Sequence, residues 1–255
     1  MFDILTPEEY GEYETFLRGH PNATVYQSPA WRGMRNNAFD AAVVRGTDGA
    51  IQGGMSVFKI KDHYGYYLYA IHGPVAADGD GAVLSELLRG MKALAKKHGA
   101  YTLYMDPVLR RDDAVLQEAF QEADARIEFV EYKENAASHV VYVLDIEGLD
   151  EEAVFANFPG TTRHKIRKAG KKGVTVSVGS GADVEAFYEL YLQTTKRQGF
   201  PPRPKSYFVK LLELFDTDTV RLYKAELEGE LLSAAIAIQF GRRTNYVFGA
   251  SGESH

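Results

Sequence analysis

Asp106 stands directly before Pro107, at the end of the run Tyr101-Thr102-Leu103-Tyr104-Met105. The alternation of that run predicts a strand, and ligand sites in sheets gather at the carboxyl ends of strands. Pro107 fixes the chain that follows. Asp106 is therefore a candidate proton acceptor; the competing reading is a side chain that caps the next turn. Arg203 lies between Pro202 and Pro204. A guanidinium on so stiff a segment offers a two-pronged donor suited to a phosphate or carboxylate. Six cations, Arg163, Lys165, Arg167, Lys168, Lys171 and Lys172, form the densest basic run of the chain. On a helix, Arg163 and Arg167 share a face, as do Lys168 and Lys172. Such a run meets phosphates or is simply a solvated basic face. His72, beside Gly73, is a lone histidine and reads as structural.

Other chemistries fail on inspection. There is no cysteine, which removes disulfides, thiolate zinc and thiol nucleophiles. Ala76-Ala77-Asp78-Gly79-Asp80-Gly81 has the two glycines of an acetyl-CoA pyrophosphate loop. It lacks the leading Gln or Arg, and its two aspartates repel phosphate. No Walker loop exists, and no His, Asp or Glu cluster has metal spacing. The formal net charge of −6 means that any polyanion must find a local basic patch. Sixteen tyrosines against one tryptophan supply rings with a polar tip, suited to sugar, peptide or base contacts as well as to core edges.

These residues need elements to hold them. With 45% hydrophobic and 25% charged residues, 255 positions build one large or two small soluble domains around a real core. The acidic N-terminus, broken by Pro7, is not a signal peptide. No apolar run approaches the roughly 20 residues of a membrane span, and the absence of cysteine fits the reducing cytoplasm, which is the expected location. Thr6-Pro7-Glu8-Glu9 reads as a capping box opening a helix to about Leu17. A second helix is expected from Pro29 to about Arg35. Strands follow at Ala41–Val44, Ile51–Ile60 and Tyr66–Ile71, with Asp48-Gly49 as a turn signal. From Gly81 to Lys97 the residues Leu84, Leu87, Leu88, Met91, Leu94 and Ala95 mark one face of a helix, and Gly99 ends it. The Tyr101 strand, a helix at about Ala114–Ala123 and strands near Ile127–Tyr132 and His139–Asp145 complete the first half.

The second half starts again with helices at Glu151–Phe158 and Thr161–Lys172, then a strand at Val174–Val178. Helices at Asp183–Gln198 and Pro204–Leu214 precede strands at Val220–Glu226, Leu231–Gln239 and Thr244–Ala250. A constant offset of 180 positions lays Asp48-Gly49 on Glu228-Gly229, Ile51 on Leu231, Tyr66 on Tyr246 and Ala70 on Ala250. In both halves two helices lead into a three-stranded meander, which points to duplication. Domains are expected at 1–148 and 149–255. The second stops where its counterpart of the Gly81–Lys97 helix should start, so its C-terminal part is expected to be missing.

In order and spacing, these segments resemble the Fem aminoacyltransferases of peptidoglycan synthesis. Gln27-Ser28-Pro29-Ala30-Trp31 with Arg35-Asn36-Asn37 looks like the opening helix of the family's first domain. Gly73-Pro74-Val75, the strand ending in Asp106-Pro107, and Lys165-Ile166-Arg167-Lys168 before Gly173-Val174 are similar to its later segments. Phe187-Tyr188, Thr194, Arg197, Phe200, Arg203 and Tyr207-Phe208 match its best-defined stretch, and Tyr246 with Gly249-Ala250-Ser251 its last strand here. Where many members insert a helical arm, this chain has the bare turn Glu226-Leu227-Glu228-Gly229-Glu230, which makes it look like the armless, FemX-like subtype.

The resemblance implies an α/β (α+β) fold of two GNAT-like domains, the second incomplete. It implies a transferase that moves an amino acid from aminoacyl-tRNA to the stem-peptide amine of UDP-MurNAc-pentapeptide or lipid II. The ester is already activated, so no cofactor is expected and aminoacyl-tRNA is the co-substrate. Asp106 would accept the amine's proton. Arg35, Arg203 and Tyr207 look like the contacts to the nucleotide-sugar pyrophosphate and uracil. Tyr101 and Tyr246 would line the groove for peptide or sugar, and Arg163, Lys165, Arg167 and Lys168 would form a patch for tRNA or phosphate. Phe248 stands where some relatives have tyrosine. No DNA partner is expected, and membrane contact is peripheral if the acceptor is lipid-linked. The alternatives are an acyl-CoA-dependent N-acyltransferase on the same fold and a non-catalytic module that binds precursor.

Overall fold

The structure is a computed structural model that describes residues 1–76, 80–108, 114–123 and 142–252. The chain forms two compact units. The first comprises Met1–Glu131 with Ile238–Asn245, and the second Tyr132–Ala237 with Tyr246–His255.

The chain opens with a short strand, β1 (Phe2–Ile4), then a single 3-10 turn and helix α1 (Tyr10–Gly19). The capping box expected at Thr6 is present: its backbone N–H donates to Glu9 Oε2 at 2.8 Å. The expected Pro29–Arg35 helix is instead a six-residue 3-10 helix, Pro29–Met34, capped by Ser28 Oγ, which accepts from the N–H of Ala30 at 3.1 Å. Strands β2 (Ala38–Arg45), β3 (Ile51–Lys61), β4 (Tyr66–Ala70) and the two-residue β5 (Val75–Ala76) follow. Then come α2 (Gly81–Lys97), β6 (Ala100–Met105) and α3 (Ala114–Glu122).

The first sheet runs β1-β2-β3-β4-β6, with β5 paired to β3. Its hairpin neighbours are antiparallel, but β6 returns through α2 and lies parallel to β4. A parallel neighbour needs such a crossover, and the crossover helix covers one face of the sheet. Every residue expected on the apolar face of α2 is buried, from Leu84 to Ala95. Met91, Leu94 and Ala95 pack on Met55, Val57, Leu68 and Ala70 of β3 and β4. Farther along, Leu87 and Leu88 meet Leu116, Ala119 and Phe120 of α3. Asp80 caps α2 by accepting from the N–H of Val83 at 3.0 Å.

The second half carries α4 (Glu151–Asn157), α5 (Gly160–Lys171), β7 (Thr175–Val178), α6 (Val184–Gln198), α7 (Lys205–Leu214), β8 (Val220–Leu227), β9 (Glu230–Phe240) and β10 (Arg243–Ser251). Its sheet runs β10-β9-β8-β7. Shifting β3 by the 180 positions of the sequence repeat lays it within a residue of β9, and β4 falls inside β10. The match extends one strand further than the sequence showed, since short β7 pairs antiparallel with β8 as β1 does with β2. Between β8 and β9, Glu228 and Gly229 both have positive φ (51° and 86°), the geometry of a tight two-residue hairpin turn. Fully buried Phe187, Phe208 and Leu211 of α6 and α7, with Leu222 and Ile236 of the sheet, form the core here.

Strand β1 is not foreseen from the sequence because three residues are too few to show alternation. The expected strand near 127–132 lies outside the described residues. Of the one expected at 139–145, residues 142–145 are described and carry no regular structure. Among the described residues no helix is long and apolar enough to cross a membrane.

Candidate active site

In the first unit, strand alternation puts Phe58, Tyr69 and Tyr104 in one row across β3, β4 and β6, in direct register. They point away from the α2 face. Tyr67, two residues along β4, meets Tyr104 edge-on at 5.2 Å between ring centroids. The guanidinium of Arg35 lies over the Phe58 ring, 5.2 Å from its centroid. Asp106 emerges at the end of β6, beside this aromatic row. Its Oδ2 accepts from the Tyr69 hydroxyl at 2.8 Å and its Oδ1 from the backbone N–H of His72 at 2.5 Å. Each oxygen keeps a second lone pair. Among the described residues, the carboxylate is thus oriented by two donors, one on each oxygen. Asp106 therefore ties down the turn after β4, not the turn that follows it in the chain.

That turn is held from the other side as well. His72 has φ of 55°, and its Nδ1 lies 3.1 Å from Thr24 Oγ1. Burial holds its imidazole below the ordinary value of 6.5, against the opposing pull of Asp106. Gln27 is fully buried. Its Nε2 donates to Ile71 O at 2.7 Å and Ser56 O at 3.2 Å, and its Oε1 accepts from the N–H of Ser56 at 2.8 Å. Gly73, joined to Pro74 by a cis bond, leaves room for this amide, since a Cβ there would overlap Gln27. In the sequence, Gln27 stands out only as part of a motif, and Tyr69 and Tyr104 draw no role of their own. The i, i+2 spacing of Tyr67 and Tyr69 was the available signal.

Tyr101 lies elsewhere on β6, five residues before Asp106, or about 16 Å along an extended strand. Its hydroxyl donates to Asp62 Oδ2 at 2.7 Å, and Asp62 Oδ1 in turn accepts from the N–H groups of Tyr64 and Gly65. This bond pushes the phenol up and holds the Asp62 carboxyl down. With 48% of its surface exposed, Tyr101 still offers a ring face.

Arg203, Tyr207 and Tyr246 belong to the second unit. Arg203 stacks its guanidinium over Tyr207, 4.9 Å from the centroid, and Tyr207 packs edge-on against Phe208 and Phe248. Stacking pre-orients the fork of donors while leaving its rim exposed. Tyr246, on the same side of β10 as Phe248 two residues away, is 73% exposed. Its hydroxyl lies where a Cβ on Gly249 would be. Tyr246 edges a groove of about 410 Å³, lined also by Thr194, Arg197, Tyr223, Lys224 and Ser251. Arg197 fixes the end of β10 by donating to Ser251 O (3.1 Å) and Ser251 Oγ (2.7 Å).

Arg163, Lys165, Arg167 and Lys168 all lie on α5, as the basic run predicts. Arg167 covers the Phe155 ring at 5.0 Å. The structure thus brings Arg35 and Asp106 onto one aromatic sheet face, sets Tyr101 apart at its far end, and groups Arg203 with Tyr207.

Residues 5–239 match the FemAB family. The chain is 30% identical over 260 residues to the UDP-N-acetylmuramoylpentapeptide-lysine N(6)-alanyltransferase of Weissella viridescens, covering 98% of this chain and 77% of that one. It is 28% identical over 228 residues to the lipid II:glycine glycyltransferase of Staphylococcus haemolyticus, covering 85% of this chain but 54% of the relative. The crystal structure of FemX superposes with a TM-score of 0.84 over 98% of this chain and 81% of that one, at 19% identity, a likeness of fold.

Proposed function

Because the chain belongs to the FemAB family, we propose that it transfers an aminoacyl group from aminoacyl-tRNA to the stem-peptide amine of a peptidoglycan precursor. The observation that carries the mechanism is the oriented Asp106 carboxylate at the end of β6, beside a face of tyrosines and Arg35. The acceptor nitrogen attacks the ester carbonyl carbon. The C–N bond forms, the C–O bond to the ribose breaks, and the amine's proton ends on the ribose hydroxyl. A lysine ammonium has a reference pKa near 10.4, so the amine must arrive neutral. Once nitrogen bonds to carbon it becomes strongly acidic, and a positioned carboxylate can take its proton and return it to the leaving oxygen.

Arg35, and Arg203 stacked on Tyr207, suit the diphosphate and the base of a nucleotide-linked precursor, because a guanidinium donates two parallel bonds to phosphate. Tyr101 and Tyr246 supply exposed rings for sugar or peptide. The activated ester supplies the driving force, so the reading requires no cofactor, and it places the reaction in the cytoplasm where charged tRNA is made. The N-terminus of α2 weighs against the acyl-CoA alternative. A CoA pyrophosphate would seek free N–H groups there, and the Asp80 carboxylate already takes the N–H of Val83.

The test is transfer of a labelled amino acid from charged tRNA to UDP-MurNAc-pentapeptide and, in a parallel arm, to lipid II. Product with either acceptor supports the reading. Product only when acyl-CoA replaces charged tRNA would overturn it.

A further inference from the structure

The basic side chains of α5 take no part in the transfer chemistry, yet their placement is not that of an ordinary solvated helix. At about 100° per residue, Arg163, Arg167, Lys171, His164, Lys168, the C-cap Lys172 and Lys165 lie around roughly 200° of the helix, with Gly160 and Thr161 between them. The remaining arc carries Thr162, Ile166, Ala169 and Gly170. No acid stands in the first turn. Among the described residues, no carboxylate pairs with any of these side chains. Elsewhere the same protein neutralises its cations locally, as in Arg18–Glu14, Lys205–Glu185 and Lys224–Asp183.

The helix dipole explains the lysines at the C-terminal end, where the partial charge is negative. It disfavours Arg163 and Lys165 in the N-terminal half. Among the described residues, a chain of net charge −6 thus keeps a basic arc without a neutralising carboxylate, partly against its own local electrostatics. An anionic partner is the physical reason for such an arc. A bilayer surface would also require an apolar face to insert, and α5 offers Ile166 as its one large apolar side chain.

We propose that α5 is an RNA-docking surface whose cations hold the phosphate backbone of the tRNA that carries the aminoacyl group, without reading its sequence. The inference rests on the proposed donor. It adds which element of the chain holds that donor.

The experiment measures binding of labelled uncharged tRNA, and of phosphatidylglycerol vesicles, to the intact protein and to the variant Lys165→Gln/Arg167→Gln/Lys168→Gln/Lys171→Gln. These side chains are exposed and glutamine keeps the helix, so circular dichroism should be unchanged. Should that variant fold poorly, the pairs Arg163→Gln/Lys165→Gln and Lys168→Gln/Lys171→Gln each remove part of the arc. The expected result is an RNA affinity that falls steeply with salt in the parent. In the variant it falls by about tenfold or more at low salt, with a slope shallower by roughly 0.7–0.9 for each phosphate no longer neutralised. The KM for charged tRNA should rise while that for the precursor holds. Equal RNA affinity in parent and variants, or loss of vesicle binding alone, overturns the α5 surface and leaves the transfer reading intact. RNA binding that depends on α5 in a protein that transfers nothing from charged tRNA would sink the donor reading instead. A parent that does not bind RNA removes both.

Discussion

The hydroxyl of Tyr69 donates to Asp106 Oδ2 at 2.8 Å, from β4 to the end of its parallel neighbour β6. One residue on the sheet face therefore aims the carboxylate assigned to the proton. Asp106→Asn should lower kcat by about 10²–10⁴ while the protein melts near its parent temperature. Tyr69→Phe should lower kcat by about tenfold, leaving the carboxylate present but less well aimed. Parent turnover in Asp106→Asn would end the proton-acceptor role.

Arg203→Ala should weaken precursor binding by about 1–3 kcal/mol in titration calorimetry, the range for a charged hydrogen bond. Arg203→Lys should recover little, because an ammonium neither stacks on Tyr207 as a plane nor donates a parallel pair. Unchanged affinity in both removes Arg203 from the site.

Gln27→Ala should destabilise the protein by about 2–4 kcal/mol in denaturant unfolding, since it strands the buried N–H of Ser56 and the carbonyl of Ile71. The damage should spread to activity, because the Ile71-His72 turn is what presents its N–H to Asp106.

Stability should also carry a histidine signature. His72 is held below its ordinary 6.5 by burial, so the unfolded chain takes up the proton first as pH falls. The unfolded state then binds more protons, and stability declines as pH drops through and below 6.5. Asp106 opposes this shift, and Arg243, in the segment that clusters with the first unit, reinforces it. His72→Asn tolerates the left-handed backbone and should flatten the decline. An identical pH profile in parent and variant would contradict the assignment.

Gly249→Ala should act through its neighbour Tyr246. The new methyl group takes the space of the Tyr246 hydroxyl, so the ring must swing away. Precursor affinity should fall about two- to tenfold, as for Tyr246→Phe, which is the loss of one neutral hydrogen bond. A loss in Tyr246→Phe alone would show that the ring tolerates displacement.

Much of the fold was legible because its causes are local. The capping box at Thr6 and Glu9, the buried stripe of α2, the Glu228-Gly229 turn and the 180-position repeat each rest on residues a few positions apart, or on the same pattern written twice. The 3-10 helix at Pro29–Met34 read as an α-helix because proline and serine signal a helix start without fixing its pitch. The basic arc of α5 was visible for the same reason as the stripe of α2: helical spacing alone decides which side chains share a face.

The site itself was legible only as separate residues. Asp106 drew attention by type and place, and Arg35 only through the family resemblance, but the row Phe58, Tyr69 and Tyr104 exists through strand register. The parallel return of β6 beside β4 brings Asp106 to Tyr69, 37 positions away, and Gln27 reaches Ile71 across 44. Amino-acid order set which side chains alternate on each strand and which helix face is apolar or charged. Which strand lies beside which, and at what register, was decided when α2 buried its leucines against the sheet, because that packing energy depends on surfaces that exist only in the folded chain.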